Sequence, residues 1–301
     1  MERELIKLIS SRGPLTGSEL KEATSQDSLL LWQTCSHSKK LVLRKLGTRY
    51  LRLDRRVDGF ARLSPSILRE FLTYSLIGLS GDPDSSAKRA QEIVSHIEDV
   101  SKKKYELAYR VVSDVRSMLE NEWAHDGEIC CIIAGDIVYT MAHDVPRPEK
   151  STGRLVNGSD IDLVVVVDDS LPEDFIKKLD TSIYQEKYRI LTTPAFKEEI
   201  DYVVKTMSRV REQLSFDTFK HMVACKILQE GTFLYGSEDL FRTIKILLHE
   251  YGVVEKLNDF EQKAQAFRQN AEEYLLRANL KEMKKKDLCL FYPGEESEEF
   301  E

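Results

Sequence analysis

Gly158-Ser-Asp-Ile-Asp162 leads directly into the apolar run Leu163-Val-Val-Val-Val167, and this stretch decides the fold. In an extended chain, side chains two residues apart point to the same face, so Asp160 and Asp162 project together from the start of a buried strand. Two carboxylates in one pocket repel each other unless a cation lies between them, and oxygen ligands of this kind suit Mg²⁺. The stretch therefore predicts a buried strand that presents a pair of acids at one end.

Two more apolar runs accompany this strand. Ile129-Cys-Cys-Ile-Ile-Ala134 precedes it and Ile200-Asp-Tyr-Val-Val204 follows it, and both are typical of buried strands. Helices are predicted between the strands, at 137–143 and 173–179. The order strand, helix, strand, helix, strand predicts a small α/β sheet with helical cover. Asp201 lies within the third apolar run, where an acid is unfavourable unless it is paired, hydrogen-bonded or metal-bound.

These motifs resemble the DNA polymerase β-like nucleotidyltransferase superfamily over about residues 126–205. That family has a Gly-Ser motif after its first strand, an Asp-x-Asp at the second and a lone carboxylate on a later strand. The resemblance implies that Asp160, Asp162 and Asp201 are the catalytic, metal-binding residues and hold two Mg²⁺ ions, with Mn²⁺ as the alternative. It also implies that Asp201 completes the site of the ion that activates the acceptor hydroxyl.

The resemblance further implies a nucleotide-binding set of Gly135, Asp136, Ser159, Lys226 and Tyr235. Asp136 departs from the family, which has Ser after the Gly to contact the triphosphate. An Asp there would cap the expected helix well but would repel phosphate. Lys226 would meet a phosphate and Tyr235 would stack on a base; the alternative is ordinary helix surface and a packed aromatic ring.

The interval before Asp160 is longer than in typical members of the family, and Val145 to Asn157 reads as an insertion in a polar loop. Its basic residues are Arg147, Lys150 and Arg154. They either offset Asp136 and grip the triphosphate, or they lie in a solvated loop. The sequence leaves both interpretations open.

Three other features are interpreted as structural. His143 stands alone on the predicted helix, Cys130 and Cys131 lie within the first strand, and Glu199 precedes Asp201 as a charge at the strand edge. Isolated residues of these types are more often structural than catalytic, and buried cysteines usually behave as small apolar side chains.

The first 63 residues form a basic head. They contain 13 Lys and Arg against 7 Asp and Glu, a net charge of +6, whereas the rest of the chain carries −13. Three short helices and then two extended runs joined by a Gly-containing turn are predicted, at 4–9, 15–23, 28–36, 41–46 and 49–54. This succession resembles a winged helix-turn-helix domain, with the hairpin as its wing and the third helix as the one that faces a groove.

That resemblance implies RNA or DNA as a partner of the head. The implied contacts come from cations near the end of the third helix and on the wing: Lys39, Lys40, Arg44, Arg49, Arg52 and Arg55. Attraction to phosphate depends on the local field, so the net charge of −7 for the whole chain does not exclude such a partner. The alternative is a protein–protein or dimerisation module with a solvated charged surface.

A length of 301 residues predicts about two domains, and 42% hydrophobic with 32% charged residues is typical of a globular chain. The predicted fold is α+β or α/β, with a small mixed-sheet nucleotidyltransferase core flanked by helices and an N-terminal winged-helix domain. Long helices are expected at 67–79 and at 87 to about 122. The predicted segments are a head (1–63), a helical connector (64–125), the catalytic core (126–205), a helical C-terminal region (206–290) and an acidic disordered tail (291–301).

Hydropathy and cysteine usage suggest a cytoplasmic location. No stretch approaches the roughly 18 apolar residues of a membrane helix, and the charged start of the chain lacks the apolar centre of a secretory signal, so no membrane partner is expected. Five scattered cysteines without CxxC spacing predict neither a disulfide framework nor a zinc site.

Taken together, the residues and the resemblance predict an enzyme of the EC 2.7.7 type. It would move a nucleoside monophosphate from an NTP such as ATP to an acceptor hydroxyl and release pyrophosphate, with RNA, such as a tRNA 3′ end, as the first choice of acceptor. Protein nucleotidylylation and synthesis of a nucleotide second messenger are alternative reactions. The competing class is a non-catalytic DNA-binding regulator that senses nucleotides.

Overall fold

The computed structural model describes residues 1–119, 126–279 and 282–292. Its mixture of helices and small sheets confirms the α+β prediction at this coarse level. The helices are α1 (Glu2–Arg12), α2 (Gly17–Thr24), α3 (Ser28–His37), α4 (Ile67–Thr73), α5 (Pro83–Met118), α6 (Glu173–Thr192), α7 (Met207–Gln213), α8 (Phe219–Glu230), α9 (Glu238–Glu250), α10 (Val253–Arg277) and α11 (Lys285–Leu288). The strands are β1 (Leu15–Thr16), β2 (Leu41–Lys45), β3 (Tyr50–Leu53), β4 (Ala61–Ser64), β5 (Ser75–Leu79), β6 (Ile129–Ala134), β7 (Pro146–Pro148), β8 (Leu155–Asn157), β9 (Ile161–Val167), β10 (Ile200–Thr206) and β11 (Thr232–Gly236).

The chain forms two compact units. The first comprises Met1–His96 and the described residues from Phe260 to 292, and the second comprises Ile97–Asp259. The chain passes from one unit to the other within α5 and again within α10. The finer division into five segments stays a prediction.

The first unit begins with three helices whose starts follow local capping rules. Thr16 and Glu19 form a capping box at the start of α2, and the Asp27 carboxylate accepts two backbone N–H groups at the start of α3. Apolar residues of these helices share one core with α4 and with residues near the C-terminus. That core contains Leu5, Ile9, Leu20, Leu29, Leu31, Trp32, Phe71, Leu275 and Phe291.

Strand pairing in this unit differs from the predicted hairpin. β2 pairs antiparallel with β5, not with β3, and β3 pairs with β4, so the sheets have the orders β1-β5-β2 and β3-β4. The predicted helix at 67–79 is also wrong, because α4 ends at Thr73 and residues 75–79 become β5. Local sequence favoured a short hairpin and a continued helix. Pairing between residues 30 or more positions apart in the sequence overrides both preferences.

The C-terminal part of the chain covers much of α3, the helix predicted to face a groove. The Trp32 ring lies 5.7 Å from the Phe291 ring, and the Tyr292 hydroxyl donates to Asp27 over 2.6 Å. The Gln33 amide donates to the carbonyls of Leu275 and Ala278. The face of α3 that contains Trp32 and Gln33 is therefore engaged within this unit. The predicted disordered tail was wrong for Phe291, which is fully buried, while residues 293–301 lie outside the described residues.

A four-stranded mixed sheet in the order β10-β9-β6-β11 forms the centre of the second unit. β9 and β10 are parallel, whereas β6 pairs antiparallel with both β9 and β11. The three apolar runs of the sequence form β6, β9 and β10, as predicted. Alternate residues of β9, including Ile161, Leu163 and Val165, join apolar residues of α5 and α6 in one core. α8 and α9 contact β6 as well.

Three local predictions in this unit are wrong. Residues 137–143 form no α-helix, because a 3₁₀ turn at Gly135–Ile137 is followed by Thr140 in the left-handed region, with φ of 56°. Residues 232–236, predicted to belong to a helical region, form β11 and satisfy the open edge of β6. The insertion at 145–157 is not a plain loop but the hairpin β7–β8. β11 depends on the edge of β6, which is distant in sequence, whereas the turn after β6 and the hairpin β7–β8 are local structures that the sequence predicted as a helix and a loop.

Among the described residues, no helix combines the length and apolar character that a membrane crossing requires. The end of the helix predicted to reach about residue 122 falls partly outside these residues, since α5 is described to Met118.

Candidate functional site

The three predicted catalytic acids lie at one end of the mixed sheet. Asp162 on β9 and Asp201 on β10 are direct partners in the parallel ladder, so their side chains share one face. Asp160 lies immediately before β9, and Ala134 at the end of β6 is the partner of Asp162 on the other side. The strand order brings together the carboxylates that the sequence predicted as one site.

At Gly135 the backbone passes close to the Asp162 carboxylate. The φ of Gly135 is 70°, and a Cβ built on it would lie 1.8 Å from Oδ2 of Asp162. No other residue fits there without displacing the carboxylate. The structure therefore gives the predicted glycine a steric reason, which is close approach to Asp162.

Negative charge is concentrated around Asp162. Burial raises the pKa of Asp162 well above its ordinary value, and the charges of Asp160, Asp201, Asp136 and Glu230 raise it further. The pKa of Glu199 is raised too, chiefly by burial, with Arg147 opposing and Asp201 and Asp160 adding to the shift. A site of this kind favours uptake of a proton or of a cation.

Two of these acids were not predicted as site residues. Glu230 ends α8, and its side chain is 4% exposed, with an ion pair to Lys226. Glu199 was interpreted as a charge at the strand edge, yet its side chain is 9% exposed and paired with Arg147. Glu199 shares strand alternation with Asp201, so that signal was present in the sequence. Glu230 had no such signal, because only the packing of α8 brings it near.

Basic side chains accompany individual acids. Arg147 pairs with Glu199 over 2.7 Å and lies 3.7 Å from Asp160, and Lys187 on α6 pairs with Asp201 over 3.1 Å. Lys150 and Arg154, the other cations of the insertion, are exposed. Of the three predicted cations of the insertion, Arg147 is therefore the one recorded in contact with the acids.

Asp136 and Ser159 are joined to each other. The buried Ser159 hydroxyl donates to Oδ2 of Asp136 over 2.6 Å, and its backbone N–H donates to the carbonyl of His143 over 2.9 Å. The same hydroxyl oxygen accepts the backbone N–H of His143 over 3.2 Å. Ser159 thus connects the turn after β6 to the turn before β9 and helps to fix both.

The remaining predicted nucleotide contacts lie in different surroundings. The Lys226 ammonium is paired with Glu230 and lies 5.6 Å from the centre of the Tyr139 ring. Tyr235 is on β11, where its ring lies 5.8 Å from that of Tyr109 and packs against the main core. Lys226 is therefore connected to the acid cluster through Glu230, while Tyr235 has an aromatic partner from α5.

The chemistry of the donors fits Mg²⁺, which prefers carboxylate oxygen. The concentration of acids that raises the pKa of Asp162 is also what a divalent cation would relieve. Among the residues that the structure describes, no three His, Cys, Asp or Glu side chains converge closely enough to hold one ion. Asp160 and Asp201 have Arg147 and Lys187 beside them, so metal ligation requires these ion pairs to open.

The cations predicted for nucleic-acid binding fall into two groups. Lys39, Lys40, Arg44 and Arg55 are exposed, whereas Arg49 and Arg52 are half-buried. Arg49 pairs with Glu70 and with Glu272, each over 2.5 Å. Arg49 thus has a structural role within the first unit.

Comparison of the chain with models of protein families, with curated proteins and with solved structures finds no match. A functional proposal therefore depends on the residues and their geometry.

Proposed function

We propose that this chain is a Mg²⁺-dependent nucleotidyltransferase that transfers a nucleoside monophosphate from an NTP to an acceptor hydroxyl, with RNA as the acceptor. The observation that carries the proposal is the pairing of Asp162 and Asp201 on adjacent parallel strands, with Asp160 two residues before Asp162. A lone acid in a strand is often structural. Three that lie at one end of a sheet, with a raised pKa at the central one, favour a site that binds cations.

In this reaction the acceptor oxygen forms a bond to the α-phosphorus while the bond from that phosphorus to the bridging oxygen breaks. Pyrophosphate leaves with the electron pair, and the hydroxyl proton passes to solvent by way of Asp201. Asp160, Asp162 and Asp201 would hold the metal ions, with Asp201 completing the site of the ion beside the acceptor hydroxyl. Bound Mg²⁺ would stabilise the charge on the attacking and leaving oxygens.

RNA is proposed as the acceptor because of the basic head. Lys39, Lys40 and Arg44 are exposed around the start of β2, and the first 63 residues carry a net charge of +6. Such a surface attracts phosphate without selecting a sequence. Three helices followed by small antiparallel sheets support the proposal that this head is a winged-helix domain, although its wing is not the predicted hairpin.

The test uses the full chain with each of the four NTPs, labelled at the α-phosphate, in Mg²⁺ with total RNA or total protein. We expect label to enter RNA with the wild type and to be lost in Asp160→Asn. Asp174→Asn, which changes an exposed acid of α6 in the same unit, is the matched control and should leave labelling unchanged. Label in protein instead of RNA would overturn the acceptor but not the reaction.

One observation favours a second candidate, a regulator that binds nucleotide without transferring it. Asp136 adds a negative charge where the resemblance implies a Ser, and the helix expected to follow it is absent from the described residues 137–143. Both features weaken phosphate binding by the backbone at this turn. Binding of an NTP with no label transferred to RNA, protein or a second nucleotide would favour this candidate.

A further inference from the structure

Arg147, on the first strand of the hairpin β7–β8, lies beside oxygen atoms of Gly158, Glu199 and Asp160. Its Nε donates to the carbonyl of Gly158 over 2.6 Å, and its Nη1 lies 2.7 Å from Oε2 of Glu199. Its Nη2 lies 3.7 Å from Oδ2 of Asp160, which is too long for a hydrogen bond. The guanidinium is thus held by a hydrogen bond to Gly158 and by an ion pair with Glu199, while its Nη2 has the distant Asp160 carboxylate as its ion-pair partner among the described residues.

Hydrogen bonds within its turn stabilise the hairpin β7–β8. The Glu149 carboxylate accepts the backbone N–H and the hydroxyl of both Ser151 and Thr152, over 2.6 to 2.8 Å. Burial opposes ionisation of Glu149, but these hydrogen bonds lower its pKa to about 2. The turn is closed by internal hydrogen bonds, so the position of Arg147 does not depend on a ligand.

The two lysines near the acids, Lys187 and Lys226, differ from Arg147 in how their charged nitrogens are paired. The Lys187 ammonium donates to Asp201 over 3.1 Å, and Lys226 is in close contact with Glu230. In each lysine the single charged nitrogen already has a carboxylate within hydrogen-bond distance, whereas Arg147 has a further terminal nitrogen, Nη2, that lies 3.7 Å from the Asp160 carboxylate. An arginine held by Nε and Nη1 keeps a planar, charged Nη2 group in a fixed direction, which is the geometry that binds phosphate oxygen well.

We propose that Arg147 binds a non-bridging phosphate oxygen of a nucleoside triphosphate, with Glu199 and the Gly158 carbonyl as the groups that position it. This inference rests on the proposed function. It adds a cation that offsets the repulsion between the acids of the site and the phosphates of the substrate. The turn after β6 presents Asp136, which repels phosphate, so the cation must come from elsewhere. Arg147 supplies it from the hairpin and exchanges the distant Asp160 for the phosphate.

The test is titration calorimetry of the full chain with ATP and Mg²⁺, with AMP and Mg²⁺, and with inorganic tripolyphosphate and Mg²⁺. Arg147→Ala should weaken binding of ATP and of tripolyphosphate by about ten- to hundredfold, the range of a charge-assisted hydrogen bond, and AMP by much less. The affinity of Arg147→Lys for these ligands should lie between those of the wild type and Arg147→Ala, because lysine keeps the charge but lacks the planar set of N–H donors. Arg154→Ala, on the same hairpin but exposed, should change binding less than twofold.

Circular dichroism and thermal unfolding establish whether each variant is folded. If Arg147→Ala does not fold, the comparison with the wild type is made with Arg147→Lys. Equal affinity of the wild type and of the folded Arg147 variant for ATP would overturn the inference while leaving nucleotidyl transfer intact. An equal loss in Arg154→Ala would also overturn it, because the effect would then belong to the general charge of the hairpin. A wild type that binds triphosphate through Arg147 but transfers no label would support the inference and overturn the proposed reaction. Absence of any binding by the wild type would overturn both.

Discussion

Two charged clusters, one in each unit, have opposite electrostatic balance. In the first unit the Glu70 carboxylate forms ion pairs with Arg49 over 2.5 Å, with Lys45 over 3.1 Å and with Arg268 over 3.1 Å. In the second, Asp162 has Asp160, Asp201, Asp136 and Glu230 as charged neighbours. The first cluster pairs its central acid with cations, whereas in the second the cations Arg147, Lys187 and Lys226 pair with the outer acids and the charges that shift Asp162 are acids.

The pKa values follow this difference. Burial alone would raise the pKa of Glu70, but the hydrogen bond from Arg49 and the charges of Arg268 and Lys45 hold it below its ordinary value. Burial and neighbouring acids both raise the pKa of Asp162. Removal of one partner from a buried ion pair destabilises a fold because the other charge is left uncompensated, whereas an acid whose pKa is raised by neighbouring acids is a candidate for a functional site. The comparison supports a structural role for the first cluster and agrees with the cation site proposed for the second.

The largest expected effect on stability is in the first cluster. Glu70→Gln leaves Arg49 and the nearly buried Arg268 with Glu272 as their remaining carboxylate. Breaking a buried pair on one side costs about 3–5 kcal/mol, so we expect a loss of this order in the free energy of unfolding, measured by urea denaturation.

Glu273→Gln is the control, because it changes an exposed acid of α10, the helix that carries Arg268 and Glu272, and should stay within about 0.5 kcal/mol of the wild type. If Glu70→Gln were as stable as this control, the first cluster would not have the structural role given to it.

A smaller effect is expected at Lys205, a buried cation on β10 whose ammonium donates to the neutral Oε1 of Gln213 over 3.0 Å. Burial lowers the pKa of Lys205 to about 8. The unfolded chain binds more protons than the folded one between that value and the ordinary value of 10.5, so this residue makes stability rise with pH across that window.

Lys205→Met removes the buried charge. We expect the variant to be more stable than the wild type at pH 7 by about 2 kcal/mol, and the difference to shrink as the pH rises from about 8 to above 10. Urea denaturation at a series of pH values measures it. If the stability difference did not change with pH, burial of the charged Lys205 ammonium would not destabilise the fold, and the account would be wrong for this residue.

The sequence predicted the features that depend on local pattern. The strands β6, β9 and β10 are continuous apolar runs, and Asp160, Asp162 and Asp201 stand out because acids are rare in such runs. Strand alternation was enough to place Asp160 and Asp162 on one face, and parallel pairing of β9 with β10 then adds Asp201.

The features that were missed depend on contacts between distant segments. β5 and β11 have weak local signals and become strands because β2 and β6 offer them open edges. Glu230 and Lys187 lie on helices, where a charged residue is ordinary until packing brings it to the acids. Arg49 was predicted as a surface cation, and only the return of α10 to the first unit explains its pairing with Glu272.

The central claim is that the acids around Asp162 are kept for function at the expense of stability, and Asp162→Asn tests it most directly. The amide has nearly the same shape as the carboxyl group but relieves the repulsion from Asp160, Asp201, Asp136 and Glu230. The measurement is made on one preparation, as transfer of α-labelled NTP to RNA in Mg²⁺ and as urea unfolding in EDTA. The account predicts that transfer falls by about 10³-fold or more while the free energy of unfolding rises by about 1–2 kcal/mol. Retained transfer, or a fold that is destabilised by the amide, would contradict it.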